Sequence, residues 1–375
     1  MLIDCDSHLF EPGDMWQRYA DPGDRDVVLR MTTDDLGYTW LMSGDRRITL
    51  AEPHIPGKVD GIGEYRMRML KGLESNLDYP EFAAPYSDPK ERLRVLDELG
   101  FDASVLFPNY GITWERPLAD DLRATLANMT SWNRWIAEIA ADGEGRLHPV
   151  AHVSLWDLDW LERQLAELSA AGIRLALMAP ALVHGRPLSD PGLDRAWAAF
   201  VAHGITPVFH VANQPRPFDE AWYGEDLVGG VNPLSTIFLW TAAALALTDL
   251  ILNGVLERHG DLRIGVMELS ANWVPLHLQL MDGSRRFTER FNGEASPLSM
   301  VPSEYFRRHV RVAAFPQEQP HLLMQRCGSD LFMGCSDWPH TEGTNDPFGA
   351  YAGVDTVLDG NPGFFGDNVA FLLRA

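Results

Sequence analysis

Eight short runs of apolar and β-branched residues recur along the chain, and each leads into a stretch with helical spacing. They are Leu2–Asp6, Ala103–Pro108, His148–Leu155, Leu175–Pro180, Pro207–Ala212, Ile264–Leu269, Val310–Phe315 and Leu331–Ser336. Short strands alternating with amphipathic helices signal βα units and a parallel sheet. Eight such units can close on themselves, so the sequence predicts an α/β fold, a (β/α)8 TIM barrel. The helices carry the matching punctuation. In SDPKERLRVLDELG, Ser87 is expected to cap, Pro89 to open the first turn and Gly100 to stop the helix. A length of 375 residues would also allow two ordinary domains. No Ser/Gly linker, repeat or low-complexity tract divides the chain, so 1–375 reads as a single domain.

Two stretches depart from the rhythm. Residues 12–86 contain VVLRMTTDDLGYTWLMSGDRRITL, which reads as a small β-meander turning at Asp35-Leu36-Gly37 and Ser43-Gly44-Asp45. An insertion after the first strand belongs to the C-terminal face of a barrel, where loops shape active sites. It is expected to be a lid over that mouth or an inert decoration. From Asn232 to His259 an unusually long apolar helix or helix pair is expected, since IFLWTAAALALTDLILNGVLER leaves little polar face. Such a helix is buried against another layer or a second subunit, and a homodimer or higher homo-oligomer is the expectation.

Charge narrows the partners. The chain has 31 Lys and Arg against 53 Asp and Glu, a formal net charge of −22. That surface repels phosphate backbones and anionic lipid, so neither nucleic acid nor membrane is expected, and a small-molecule substrate is. Most of the surplus acid reads as solvated surface. Cys5, Cys327 and Cys335 cannot build a disulfide framework. The opening MLIDCDSHLFEP lacks the basic and long apolar segments of a signal peptide, and the apolar stretch Ile237–Thr248 is too short to span a bilayer. A cytoplasmic protein is expected.

In a barrel, catalytic side chains collect where strands end. The first strand carries Asp4, Asp6 and His8 at spacing two, so Asp6 and His8 share a side and could chelate one cation. The same alternation points Cys5 toward the helices. His210 ends the fifth run, Glu268 the sixth and Asp337 the eighth. Each alone has a plainer reading: a hydrogen-bonded strand end, a satisfied core histidine, a paired acid. A barrel brings these ends around one mouth, and a divalent cation would relieve several burial costs at once. Glu11 is expected to leave the strand and bind backbone amides at the loop entrance. His340 is expected to contact substrate or to cap the next helix. Trp338 fits a wall for a flat substrate or ordinary packing. Arg66, Arg68 and Lys71 in EYRMRMLKG could hold a substrate carboxylate or form a solvated helix face.

The segments IDCDSHLFEP, DPKERLRVLDELGFDASVLFPN, RLHPVAHVSLWD, FHVAN, GVLERHGDLRIGVMELSANWVP, PSEYFRRHV and LFMGCSDWPHTEGT together resemble the amidohydrolase-related family. This is the branch of the amidohydrolase superfamily that includes aminocarboxymuconate-semialdehyde and γ-resorcylate decarboxylases. The resemblance implies one divalent metal at the C-terminal mouth of a distorted barrel. The family's His-x-His or Glu-x-His motif falls on Asp6 and His8, its fifth-strand histidine on His210 and its eighth-strand aspartate on Asp337. A sixth-strand position, often histidine, falls on Glu268. Asp6 and Glu268 make the site oxygen-rich, so manganese, magnesium or iron stand beside zinc, the first expectation. A bound metal acidifies water and polarises substrate oxygens. Glu268 would take the proton from that water or serve as a further ligand, and Asp337 would carry a proton to the leaving group.

Two reactions compete. A hydrolase would break a C–N or C–O bond of a small cyclic or aromatic substrate. A non-oxidative decarboxylase would release CO₂ from an aromatic or muconate-like acid. The negative charge of Glu268 repels a substrate carboxylate, which places hydrolysis first. A non-catalytic barrel scaffold is disfavoured, because buried acids without a metal burden folding.

Overall fold

The computed structural model describes residues 1–33, 39–50, 83–211, 215–223, 233–340, 343–351 and 363–374. All eight expected strands are present. They are β1 Ile3–Leu9, β5 Ala103–Pro108, β6 Leu147–Pro149 with β7 Ala151–His152, β8 Leu175–Leu177, β9 Thr206–Phe209, β10 Ile264–Val266, β11 Val310–Ala313 and β12 Phe332–Met333. One parallel ladder runs β1-β5-β6, and a second runs β7 to β12 in chain order. They join through Val150, which separates β6 from β7 and whose N–H donates to Leu106 O at 2.9 Å. On the other side, Asp337 N donates to Asp6 O and His8 N to Trp338 O, both at 2.8 Å. The runs therefore follow one another around a distorted barrel, regular in two arcs and sparsely bonded at the seams.

Its packing is layered. Cys5, Val105, Val150, Val208, Met267 and Met333 form one apolar cluster with Val369 and Leu372 of the last helix, Asn368–Leu373. That helix plugs the lower end, where Thr206 Oγ1 donates to Leu372 O at 2.7 Å. A larger cluster joins the outer strand faces to the surrounding helices. With apolar residues filling the bottom, polar residues at the strand ends are left to the upper mouth.

The first strand differs from simple alternation. Its register with β5 slips, because Asp4 pairs with Ser104 but Ser7 with Leu106. Cys5 and Asp6 thus share the place opposite Val105, a bulge. Cys5 follows Ile3 into the barrel cluster by ordinary alternation and the extra residue brings Asp6 to that same side, so Asp4 rather than Cys5 points away, correcting the parity expectation. Asp6 and His8 still reach the mouth together.

Other sequence expectations are refined. The cap of the helix Pro89–Leu99 is Asp88, not Ser87. Asp88 Oδ1 accepts from the N–H groups of Lys90 and Glu91 at 2.9 and 3.1 Å, while Ser87 closes the preceding helix Ala83–Ser87. Gly100 ends the helix in the left-handed conformation, φ 83°. The long apolar region, expected as one helix or a pair, is three helices among the described residues, Pro233–Ile237, Thr241–Leu252 and Val255–Arg258. The break falls at Asn253-Gly254, where Gly254 takes φ 74°. Ala243, Leu247, Leu250 and Ile251 are buried by the chain itself, and Leu245 remains 69 % exposed.

The meander is present as antiparallel β2 Leu29–Thr33, β3 Thr39–Ser43 and β4 Arg46–Leu50. Its second turn contains Gly44 at φ 55°. The first, around Asp35-Leu36-Gly37, lies outside the described residues. The described part of the insertion fastens to the flank of the helix Leu122–Asp142: Leu29 N donates to Asn128 Oδ1 at 2.8 Å, and Arg123 pairs with Asp24 at 2.9 Å. Arg66, Arg68 and Lys71 lie outside the described residues. Among the described residues, no helix is long and apolar enough to cross a membrane.

Candidate metal centre

Four strand ends bring their side chains to one point. His8 Nε2 lies 3.7 Å from Asp6 Oδ1, 3.3 Å from Asp337 Oδ1 and 3.7 Å from Glu268 Oε2. His210 Nε2 lies 3.5 Å from Asp6 Oδ1 and 3.0 Å from Glu268 Oε2. The fifth and sixth runs therefore deliver His210 and Glu268 to the same place as the first and eighth deliver Asp6, His8 and Asp337. Glu268 and Asp337 both take φ 51°, a left-handed backbone costing non-glycine residues roughly 1 kcal/mol or more. Strain of this kind persists where the surroundings hold it, often at functional sites.

The imidazoles are oriented from behind. His8 Nδ1 lies 3.1 Å from Pro108 O, and His210 Nδ1 lies 2.9 Å from Val211 O. A carbonyl only accepts, so each Nδ1 carries the hydrogen and each Nε2 faces the centre. Burial alone would lower the His8 imidazolium, but the Asp337 and Glu268 carboxylates beside it push it up to about 10. Burial likewise opposes the charged form of His210, and Asp6 and Glu268 raise it well above its ordinary value. Burial raises Asp6, although His210 pulls the other way. Burial would raise Glu268 too, but His210 holds its carboxyl well below the usual range.

Both oxygens of Asp6 and of Asp337, Glu268 Oε2, and Nε2 of His8 and His210 are buried without a hydrogen-bond partner. So many ligand atoms converging without hydrogen-bond geometry call for positive charge among them, from imidazole protons in the metal-free protein or from a cation that displaces them. A cation with bonds of about 2.1 Å separates adjacent ligand atoms by roughly 3.0 to 3.5 Å, close to the spacings found here. The ligand atoms of Asp6, His8 and His210, and those of His8, Glu268, Asp337 and His340, each lie within 4.8 Å of one another. Two imidazoles and two or three carboxylates fit Zn²⁺ or Mn²⁺, and less readily the all-oxygen preference of Mg²⁺.

A second layer supports the first. His340 stacks on His8 with ring centroids 3.8 Å apart, its Nδ1 is 3.1 Å from Asp337 Oδ1, and Asn109 Oδ1 holds its Nε2 at 3.0 Å. Arg92 is buried and donates to Ser7 Oγ at 2.6 Å and to His8 O at 3.0 Å. Its guanidinium lies 4.2 Å from the Trp338 ring centroid, and Tyr86 stacks against Trp338 at 5.0 Å. Trp338 is thus clamped in place. Asp4 stands apart from the centre and accepts from Ser336 N at 2.8 Å, tying β1 to the eighth run. Glu11 accepts from the N–H groups of Asn109, Tyr110 and Gly111 at 3.3, 2.9 and 2.6 Å, the role expected of it.

Sequence reading missed Arg92 and Asn109. Arg92 did leave a signal, a charge four residues before Leu96 on the apolar face of its helix; Asn109 directly follows a strand end.

The family model described as Amidohydrolase matches residues 3–358. No curated protein sequence matches the chain. Among solved structures, an amidohydrolase of Mycobacterium avium subsp. paratuberculosis K-10 is similar with TM-score 0.79 and 24 % identity, covering 99 % of this chain and 98 % of that one. The 5-carboxyvanillate decarboxylase of Sphingomonas paucimobilis gives TM-score 0.63 and 17 % identity, covering 99 % and 98 %. A dihydroxybenzoic acid decarboxylase of Polaromonas sp. JS666, with bound manganese and the inhibitor 2-nitroresorcinol, gives TM-score 0.59 and 15 % identity, covering 100 % and 98 %.

Proposed function

The chain belongs to the amidohydrolase family, and from that premise we propose that it is a metal-dependent decarboxylase of a small aromatic or unsaturated acid. Asp6, His8, His210 and Asp337 hold one divalent cation, manganese or zinc, with Glu268 beside it. The observation that carries this is the ring of buried, unpartnered Nε2 and carboxylate oxygens at the strand ends. When bound, the cation supplies a Lewis acid that fixes and polarises substrate oxygens.

The chain's own groups supply the rest. Release of CO₂ leaves an electron pair on carbon that a proton must meet. Asp337, with His340 Nδ1 3.1 Å from its Oδ1, is positioned to hold and hand over that proton. Trp338 forms a fixed wall, and Arg66 and Arg68 hold the substrate carboxylate from the insertion, residues 12–86 of a single barrel domain.

Decarboxylation now stands ahead of hydrolysis, the reverse of the order drawn from charge alone. Glu268 Oε2 faces the two imidazole nitrogens and hence the cation position, so its charge is directed there rather than at a substrate carboxylate. The reactions named for two of the similar structures support the same order. Hydrolysis is the second reading because Glu268, its side chain 11 % exposed, stands beside the candidate cation position, where it could take a proton from water.

A panel of hydroxybenzoates, lactones, lactams and anilides, incubated with manganese-loaded or zinc-loaded protein, separates the two. The expected result is CO₂ from a hydroxybenzoate, with turnover reduced roughly a hundredfold or more in Asp337→Asn. Acid released from a lactone or amide, with no CO₂ from any benzoate, would establish hydrolysis instead.

A further inference from the structure

We infer that Glu318 is a positioning residue for the candidate metal centre: from the turn after β11 it fastens the loop after β10 and so sets where the Glu268 carboxylate stands. The inference rests on the metal-centre reading and adds to it a residue that touches none of the candidate ligands.

The loop needs fastening. Met267 N donates to Phe209 O at 2.8 Å, the last ladder-like bond before the chain turns. Glu268 at φ 51° and Ser270 at φ 60° then place two non-glycine residues in the left-handed region within three positions. Each costs roughly 1 to 2 kcal/mol, and the loop holds this shape only if outside bonds fix it.

Those bonds come from two sides. Trp273, just before the helix Val274–Asn292, donates from Nε1 to the carbonyls of Leu269 and Ser270 at 3.2 and 2.8 Å. Glu318 works from a different strand's turn: its Oε1 accepts from Ala271 N at 2.9 Å and from the Ser270 hydroxyl, and its Oε2 accepts from Phe315 N at 2.9 Å. At 9 % exposure this carboxylate is enclosed, and its donors are backbone groups and one hydroxyl rather than a cation. A charged acceptor makes hydrogen bonds roughly twice as strong as a neutral one, which suits a strained loop. Without Glu318 the loop loses its tie to β11, and among the described residues no other group from that turn keeps Glu268 Oε2 at 3.0 Å from His210 Nε2.

The test is calorimetric titration of metal-free protein with MnCl₂, with thermal unfolding measured in parallel. Glu318→Ala is expected to weaken Mn²⁺ binding by roughly 10- to 100-fold, the range typical of groups that orient metal ligands. Glu318→Gln keeps an oxygen for Ser270 and Ala271 and is expected to recover most of that loss. Ser270→Ala removes one donor of three and is expected to weaken binding severalfold even if Glu318→Ala does not fold. Variants that unfold at lower temperature but bind Mn²⁺ as tightly as the parent would overturn the role, leaving Glu318 a structural tie alone. If the parent itself binds no Mn²⁺, the metal-centre reading fails with it; tight binding in the parent that Ser270→Ala and Glu318→Ala leave unchanged removes only Glu318.

Discussion

Replacing His210 by alanine is expected to strip the purified protein of stoichiometric divalent metal and to lower turnover roughly a thousandfold. His210 Nε2 sits 3.5 Å from Asp6 Oδ1 and 3.0 Å from Glu268 Oε2, closer to both acids than any other imidazole among the described residues. Removing it takes away one neutral ligand and leaves those acids mutually repelling in a buried pocket. The rate estimate follows from the loss of a preorganised charge at the reacting group, where single contacts are worth about 100- to 1000-fold. Elemental analysis and steady-state rates check it. A His210→Ala protein that retains one metal per chain and full turnover would exclude His210 from the site.

Replacing Glu11 by alanine is expected to cost about 3 kcal/mol or more of stability, the largest effect anticipated away from the centre. Its carboxylate satisfies the N–H groups of Asn109, Tyr110 and Gly111, and each orphaned donor costs roughly 1 to 3 kcal/mol when buried. The site is tightly built. A Cβ at Gly111 would stand 2.9 Å from Glu11 Oε1 and 2.7 Å from Pro108 Cβ, which explains the glycine. Because Asn109 also holds His340, a partial loss of activity is expected before unfolding. Glu11→Gln keeps one acceptor and should lose less. Urea unfolding measures both, and a change below about 0.5 kcal/mol for Glu11→Ala, the scale of a surface substitution, would contradict this role.

The barrel and the inner ring were legible because both rest on short-range pattern. Apolar runs followed by amphipathic helices reveal strand count, and acids or histidines directly after apolar residues reveal strand ends. Register is not legible in this way: the bulge that puts Asp6 on the same side as Cys5 depends on the partner strand, and counting alternation from Asp6 turned Cys5 outward. Choices between neighbours of like chemistry also escape, as with Ser87 and Asp88. The break at Asn253-Gly254 falls on a turn dipeptide and accords with the helix pair that was one of the two expectations, whereas the separate short helix Pro233–Ile237 was not legible in the apolar run. The supporting layer is hidden for a different reason. Arg92 meets His8 across 84 positions, His340 meets Asn109 across 231, and Glu318 meets Ala271 across 47. Only the fold makes those residues neighbours.

If Asp6, His8, His210 and Asp337 hold one cation with Glu268 beside it, a titration of metal-free protein with MnCl₂ at pH 6, 7 and 8 will show it. Burial disfavours charged imidazoles, but the surrounding carboxylates hold His8 at about 10 and raise His210 well above its ordinary value. Both are therefore biased toward the protonated form in the metal-free protein, and a cation must displace those protons. Affinity should rise with pH across this window, by up to about tenfold per unit for each proton released. In buffers of different ionisation enthalpy, the account predicts one Mn²⁺ per chain, net proton release and tightening from pH 6 to 8. No stoichiometric binding, or binding that releases no protons and ignores pH, would contradict it.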